Sequence, residues 1–314
     1  MTSSADVSVE LPIEVEGFLT HLVVERGRSP NTLAAYRRDL RRYASFLADR
    51  GVEIGAVQPT DVVAHQAGLI QSGLAPASVA RASAAVRTLH RYLAASGVMV
   101  DDPSMAVEVP PVPSAVPKAL PETDVIELLD SVAGDRPVDI RDRALLETLY
   151  GTGARVSEVV GLRLGDVDLD ARLVRLFGKG SKERVVPLGR PAASALAEWF
   201  DPGGRPDMSP AQWRRRDDSD AVFLNQRGGR LTRQGAWLTL RKRGEVVGLG
   251  AEMSPHVLRH SCATHMLDHG ADLRTVQELL GHASISTTQT YTKVATDKLW
   301  AVYDAAHPRA VIDR

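Results

Sequence analysis

The segment HVLRHSCATH, residues 256–265, places three histidines and one arginine within ten residues. A Ser-Pro pair precedes it, which predicts that a helix begins there with His256 in its first turn. His256 and His260 are four residues apart, the spacing of a metal-binding pair on a helix. His256 and Arg259 are three apart and share a face, which suits a helix N-terminus that grips a phosphate. The segment alone leaves both interpretations open.

Four further polar residues lie where a side chain could reach a ligand. Arg155 follows GTGA at the predicted start of a helix, where backbone N–H groups favour an anion. Lys179 is at the tip of a predicted hairpin between two glycines, which allow the backbone to approach a ligand closely. His282 follows the glycine that ends a predicted helix, and Tyr291 lies nine residues later in a segment rich in serine and threonine. Taken singly, such residues are more often structural than functional.

As a set, these residues favour chemistry at a phosphate. Two arginines can bind a phosphate bidentately and neutralise the charge of its transition state. Histidine and lysine can transfer protons, and a tyrosine oxygen can act as a nucleophile. The phenol has an ordinary pKa of about 10, so it needs a proton acceptor or cationic neighbours. Such a set requires neither a metal nor another cofactor, and none is expected.

A metal site is the alternative for the histidine-rich helix. A helical zinc hydrolase carries a general-base glutamate directly after its first histidine, where this chain has Val257. Arg259, between the two histidines, would repel a cation. His265 and His269 are also four apart, but the residues between them are typical of an amphipathic helix. The phosphate interpretation is therefore favoured.

Composition limits the class of protein. The chain has 314 residues, 44% apolar and 25% charged, which is typical of a globular protein of two domains. There is no long apolar run and no apolar secretory core near the start, and Cys262 is the only cysteine. These features predict a cytoplasmic protein with no membrane partner. The net charge of −1 does not by itself indicate a nucleic-acid partner, so any basic surface must be local.

A segment with six prolines, residues 101–121, predicts an extended connection between two domains. We place the N-terminal domain at 1–108, the proline-rich linker at 109–120 and the C-terminal domain at 121–314. The first domain shows four helical stretches and no strand pattern, which predicts a four-helix domain. The second is mostly helical, with a hairpin around GKGSK that predicts a small antiparallel sheet. Residues 201–220 are expected to form a mobile loop.

At this point the motifs GTGARVSE, GKGSKER, HVLRHSCATHML and LLGHASISTTQTYTKV, in this order, resemble those of the tyrosine recombinase (phage integrase) family. The N-terminal RSPNTLAAYRRDLRRYASFL resembles the helical core-binding domain that clamps DNA in that family. The end of the chain is similar to the Xer recombinases, which resolve chromosome dimers. TKVATDKL favours the D-type paralogue and VYDAAHPRA the C-type, and we favour the D-type. The resemblance implies a mainly α protein with an N-terminal clamping domain and a C-terminal catalytic domain.

The resemblance also implies a role for each candidate residue. Tyr291 would attack the scissile phosphate and form a 3′-phosphotyrosine, and Arg155 and Arg259 would hold the non-bridging oxygens.

The remaining three residues would assist this step. Lys179 would protonate the leaving 5′-oxygen, His256 would act as acid and base on the tyrosine, and His282 would hydrogen-bond the phosphate. Because the phosphotyrosine conserves the bond energy, religation would need neither ATP nor a metal.

DNA binding would draw on arginines beside the apolar faces of two N-terminal helices, namely Arg37, Arg41, Arg81 and Arg87. The alternative is a solvated face with intramolecular partners. The resemblance further implies a double-stranded DNA recombination site, a heterotetramer with a paralogous recombinase and activation by a septal DNA translocase. It also implies that the tail from Asp297 to Arg309 docks on the next protomer; packing on its own domain is the alternative. A mobile-element integrase and a non-catalytic DNA-binding accessory protein remain as other functions.

Overall fold

The computed structural model describes residues 10–24, 30–105, 107–108, 118–178, 183–250, 252–281 and 293–310. The chain divides into two compact units, Met1–Ala115 and Val116–Arg314. Each unit has its own apolar core. No described helix is both long enough and apolar enough to cross a membrane.

The N-terminal unit contains the four predicted helices. They are α1 (Ile13–Val24), α2 (Pro30–Asp49), α3 (Pro59–Gln71) and α4 (Pro76–Ala95). Proline is the first residue of the last three, where its missing N–H costs no hydrogen bond. The apolar stripe of α2 packs on α4, and its buried members are Leu40, Tyr43 and Leu47. The prediction of a four-helix domain is confirmed.

Two histidines are buried in this unit beside Tyr43. The Tyr43 hydroxyl lies 2.8 Å from His90 Nε2, and His90 Nδ1 lies 3.4 Å from Met99 Sδ. The His65 ring contacts Tyr43 edge-on, and its Nε2 has no hydrogen-bond partner among the described residues. Burial lowers the pKa of both histidines to about 4. They are therefore neutral at pH 7 and belong to the core of this unit.

The N-terminal unit should lose stability in mild acid. A histidine whose pKa is lowered on folding contributes fully above the unfolded pKa of about 6.5, and its contribution is lost as the pH falls towards 4. At pH 5 we expect the free energy of local unfolding of α2 and α4 to be lower than at pH 7 by about 2 kcal/mol for each histidine. Amide hydrogen exchange of the full-length protein at pH 7 and pH 5, corrected for intrinsic rates, measures this loss. In His65→Phe, the loss of stability between pH 7 and pH 5 should be about half that of wild type. A loss as large as that of wild type would contradict the assignment.

The C-terminal unit is mostly helical, as predicted. Its helices are α5 (Glu122–Asp130), α6 (Pro137–Thr152), α7 (Val156–Val159), α8 (Arg190–Phe200), α9 (Arg205–Met208), α10 (Arg233–Val246), α11 (Pro255–Asp268), α12 (Leu273–Leu280) and α13 (Lys293–Ala306). Helix α6 is central and packs against α8, α11 and α5. Almost all of its side chains are buried, including charged ones.

The predicted hairpin forms two strands of a three-stranded antiparallel sheet. The strands are β1 (Val167–Asp168), β2 (Leu173–Phe177) and β3 (Glu183–Pro187), in the order β1-β2-β3. Val174 and Val186 pair across the hairpin, and both are buried on the core face. Arg184, two residues before Val186, faces the same side and is also buried.

The expectation of a mobile loop at residues 201–220 is wrong. This stretch contains α9 and a 3₁₀ turn at Arg216–Asp218. The Arg205 guanidinium donates hydrogen bonds to the carbonyls of Ala221, at 2.8 Å, and Ser219, at 2.5 Å, and lies over the Trp213 ring. The hydrogen bonds of one arginine side chain thus hold this connection in place, and local composition does not reveal them.

The described part of the tail packs on its own unit. Tyr303 in α13 is 1% exposed, and its hydroxyl accepts a hydrogen bond from the Gly189 N–H at 3.1 Å. Arg309, just after α13, forms a buried ion pair with Glu147 and, at 3.2 Å, a second ion pair with the exposed Asp130. Tyr303 and Arg309 thus find partners around α6 of their own unit, and docking of the tail on a neighbouring protomer stays a prediction.

Candidate active site

The C-terminal end of α12 is the point at which three arginines meet. Its last carbonyls have no partner within the helix, and the helix dipole makes them attractive to cations. Three successive carbonyls each accept a hydrogen bond from a different guanidinium: Leu279 O from Arg184 Nε at 2.9 Å, Leu280 O from Arg259 Nη2 at 2.7 Å and Gly281 O from Arg155 Nη2 at 3.1 Å. The structure thus brings together two predicted residues and one, Arg184, that the sequence did not indicate.

Arg259 is in the second turn of α11, which begins as predicted. Ser254 caps the helix by accepting a hydrogen bond from the Val257 N–H. The Arg259 Nη1 donates to the Gly153 carbonyl at 2.7 Å. Burial, and then the nearby charge of Arg155, lower the pKa of Arg259 to about 10. The guanidinium therefore stays protonated at neutral pH, although it is partly buried beside other cations.

The glycine break before Arg155 has a steric cause. Gly153 ends α6 in the left-handed region, with φ of 56°. A side chain would be strained at this φ, and its Cβ atom, 2.6 Å from Leu280 Cδ2, would force Leu280 to move. Arg155 is the N-cap of α7, whose single turn is shorter than the helix expected from the sequence. The break thus aims Arg155 at Gly281.

Glu158 neutralises part of this positive charge. The buried carboxylate accepts two hydrogen bonds from Arg184, both 2.8 Å, and one from Arg155 Nη1 at 3.1 Å. It also accepts a bond from the Arg155 backbone N–H at 2.7 Å. Although burial opposes ionisation, the hydrogen bonds and charge of Arg184, with those of Arg155, lower the pKa of Glu158. The three guanidiniums and this carboxylate leave a net positive site.

The two candidate arginines retain donors for a ligand. A guanidinium has five N–H groups. Arg155 and Arg259 each use two in the bonds given above, so each has three that no described residue accepts. Planar donor pairs beside a net positive cluster match the oxygens of a phosphate diester.

His256 lies in the first turn of α11, one turn before Arg259, and is exposed. His265 is structural, with hydrogen-bond contacts of 2.8 Å to both Tyr150 and the Leu120 carbonyl. His269 lies 3.1 Å from the Ala306 carbonyl. Within the described ranges, no group of three or more histidine, cysteine, aspartate or glutamate side chains is arranged to hold a metal ion.

Three predicted site residues, Lys179, His282 and Tyr291, lie outside the described residues. Their described neighbours adjoin the arginine cluster in sequence. Lys179 belongs to the connection between β2 and β3, and β3 contributes Arg184. His282 directly follows Gly281.

Sequence reasoning missed Glu158 and Arg184. Glu158 is three residues after Arg155, the spacing by which a helix-terminal carboxylate binds the backbone N–H of the N-cap. Arg184 occupies an inward position of β3, where alternation predicts an apolar side chain. A charged residue at such a position indicates that it has a buried partner, but the tertiary fold determines which residue that partner is.

The four candidate DNA-binding arginines of the N-terminal unit differ in their surroundings. Arg37 forms a bidentate pair with Glu16, and Arg81 binds the buried Asp39 at 2.8 and 3.1 Å. Arg41 is exposed, and Arg87 is partly exposed beside a small cavity. Two of the four thus have a structural role as well as a charge.

Several known proteins are similar to this chain. The phage integrase family model matches residues 118–298, and that of the phage integrase N-terminal SAM-like domain matches residues 15–97. Tyrosine recombinase XerD of Mycobacterium tuberculosis is 50% identical over 313 residues, covering 96% of this chain and 99% of that protein. Tyrosine recombinase XerD of Listeria monocytogenes is 43% identical over 298 residues, covering 94% and 99%.

Two solved structures share the fold. XerH site-specific recombinase bound to its difH substrate, in a pre-cleavage complex, has a TM-score of 0.65 at 20% identity and covers 96% of this chain and 88% of that one. A lambda integrase dimer bound to a COC′ core site has a TM-score of 0.65 at 18% identity, covering 89% and 98%. Because the family model spans more than half of the chain and the XerD relatives extend over nearly all of it, the chain belongs to the phage integrase family of tyrosine recombinases.

Proposed function

We propose that the protein is a site-specific DNA recombinase that cuts and rejoins DNA through a 3′-phosphotyrosine and resolves chromosome dimers before cell division. The observation that supports this most directly is the convergence of Arg155 and Arg259 on the end of α12. The chain continues from that end to His282 and, ten residues after Gly281, to Tyr291. A phosphate held by the arginines would thus lie next to the segment that carries the nucleophile.

In the proposed cleavage step, the Tyr291 oxygen forms a bond to phosphorus while the bond from phosphorus to the 5′-oxygen breaks. The Tyr291 proton passes to His256, and Lys179 donates a proton to the leaving 5′-oxygen. The unused N–H groups of Arg155 and Arg259 stabilise the charge on the non-bridging oxygens. The reverse sequence, with a new 5′-hydroxyl as the nucleophile, rejoins the strand.

His282 would add a hydrogen bond to the same phosphate. No step requires a metal ion or ATP, since the arginines supply the positive charge and the phosphotyrosine conserves the bond energy.

We further propose the organisation in which this reaction takes place. Residues 1–108 would clamp DNA, residues 109–120 would form the linker and residues 121–314 would carry the catalysis. The similarity to XerD proteins supports a cytoplasmic D-type recombinase that acts on a double-stranded recombination site. It would form a heterotetramer with a paralogous recombinase and be activated by a septal DNA translocase.

The nucleophile can be tested with a nicked suicide duplex carrying the recombination site. Wild type should form a covalent protein–DNA adduct in the presence of a chelator, and Tyr291→Phe should form none because it lacks the attacking oxygen. Tyr303→Phe is the matched control, since among the described residues the Tyr303 hydroxyl is bonded to the Gly189 N–H, away from the arginine cluster. This control should retain the adduct and lose about 1 kcal/mol of stability. Adduct formation by Tyr291→Phe would refute the assignment.

The clamping role can be tested through the salt dependence of DNA binding. Each phosphate contact contributes about −0.9 to the slope of log K against log salt concentration. Arg41→Gln should therefore reduce the slope by about 1 and weaken binding to all sequences alike. Arg50→Gln is the control, because Arg50 lies 3.3 Å from Asp61 and over the Phe46 ring. Equal slopes for the Arg41 variant and wild type would exclude this contact.

A further inference from the structure

We propose that Arg184 is a positioning residue for DNA cleavage, which sets the locations of both Arg155 and the C-terminal end of α12. This inference deepens the proposed function and rests on it. The sequence gives no catalytic role to Arg184, which lies on β3 and is 7% exposed. Its proposed role follows from its hydrogen bonds to Glu158 and to the end of α12.

Arg184 connects two parts of the site that are far apart in the sequence. Its two terminal nitrogens hold both oxygens of Glu158 at 2.8 Å, and its Nε holds the Leu279 carbonyl at 2.9 Å. Glu158 in turn binds the backbone and side chain of Arg155. One rigid guanidinium plane therefore fixes the distance between the Arg155 segment and the end of α12.

Gly281 is shaped to accommodate this guanidinium. It has φ of 68°, and a Cβ atom there would lie 3.0 Å from Arg184 Nη1 and 3.1 Å from Cζ. The carbonyl of the same glycine accepts the bond from Arg155. The residue before His282 thus contacts Arg184 on one side and Arg155 on the other, so a displaced Arg184 would shift both.

Lysine cannot make the same set of hydrogen bonds as Arg184. A lysine retains the positive charge, but its single nitrogen cannot hold two carboxylate oxygens and a carbonyl in one plane. Arg184→Lys should therefore preserve the electrostatic contribution to DNA binding but misplace Arg155 and the end of α12. Misplacement of a reacting group by about 1 Å costs up to about 100-fold in rate.

Arg141 provides a matched control elsewhere in the same unit. Its side chain is 6% exposed, and that of Arg184 is 8% exposed. Like Arg184, Arg141 makes two hydrogen bonds to a carboxylate and one to a backbone carbonyl, those of Asp142 and Leu224. It bonds to neither Glu158 nor the end of α12 within the described part of the chain. Arg141→Lys thus reproduces the structural damage without disturbing the proposed site.

The experiment compares wild type, R184K and R141K, all full-length, on the nicked suicide duplex. It measures the dissociation constant for DNA, the single-turnover rate of adduct formation at saturating protein and hydrogen exchange of amides 279–281. For R184K we expect binding within about twofold of wild type, a rate lower by about 10- to 100-fold and faster exchange at the end of α12. R141K should keep the rate within about twofold and leave that exchange unchanged.

A rate and an exchange pattern for R184K equal to those of R141K would overturn the inference. Failure of wild type to form any adduct would instead refute the proposed function, and the exchange comparison would still decide whether Arg184 holds the end of α12. If R184K does not fold, Gly281→Ala serves in its place, because its Cβ, 3.0 Å from Arg184 Nη1, would force the guanidinium to shift. A wild-type rate in that variant would also overturn the inference.

Discussion

The carbonyls at the C-terminal end of α12, which lack partners within the helix, are the constraint on which the rest of the site depends. A helix end that lacks partners for its carbonyls attracts cations, and here Arg155, Arg184 and Arg259 each take one of three successive carbonyls. Burial, and then the charge of Arg155, lower the pKa of Arg259, so bringing the guanidiniums together in a partly buried site is unfavourable. Glu158 offsets part of the repulsion but leaves a net positive charge. The same contacts therefore stabilise the fold and leave a site that an anion would stabilise further.

Two glycines make this arrangement possible. Gly153 and Gly281 both have positive φ, at the ends of α6 and α12, and each is in close contact with the other part of the site. A side chain on Gly153 would meet Leu280, and one on Gly281 would meet Arg184. The glycines of the motifs GTGA and LLGH thus let these side chains lie close to the backbone, and arginines from three separate elements reach one helix end.

The features that could be predicted from the sequence are those set by local periodicity. The four N-terminal helices, the β2–β3 hairpin and the Ser254 cap follow from apolar spacing, glycines and capping residues within a short window. Arg155 and Arg259 could be proposed because their types suit a phosphate and their motifs resemble a family. The partnership of Arg184 with Glu158 could not, because it joins residues 26 apart whose contact depends on how β3 packs against α7. The same reason explains the error at residues 201–220, where one side chain orders the backbone.

The arginine cluster offers a phosphate a positive charge that does not change near neutral pH. The pKa of Arg259 is about 10 and that of Glu158 lies below its ordinary value, so neither group changes its charge near neutral pH. Arg184 and Arg155 are arginines and remain protonated as well. The positive charge offered to a phosphate is therefore constant across the physiological range. Any change in cleavage rate between pH 6 and 8 must then arise from groups other than Arg259 and Glu158.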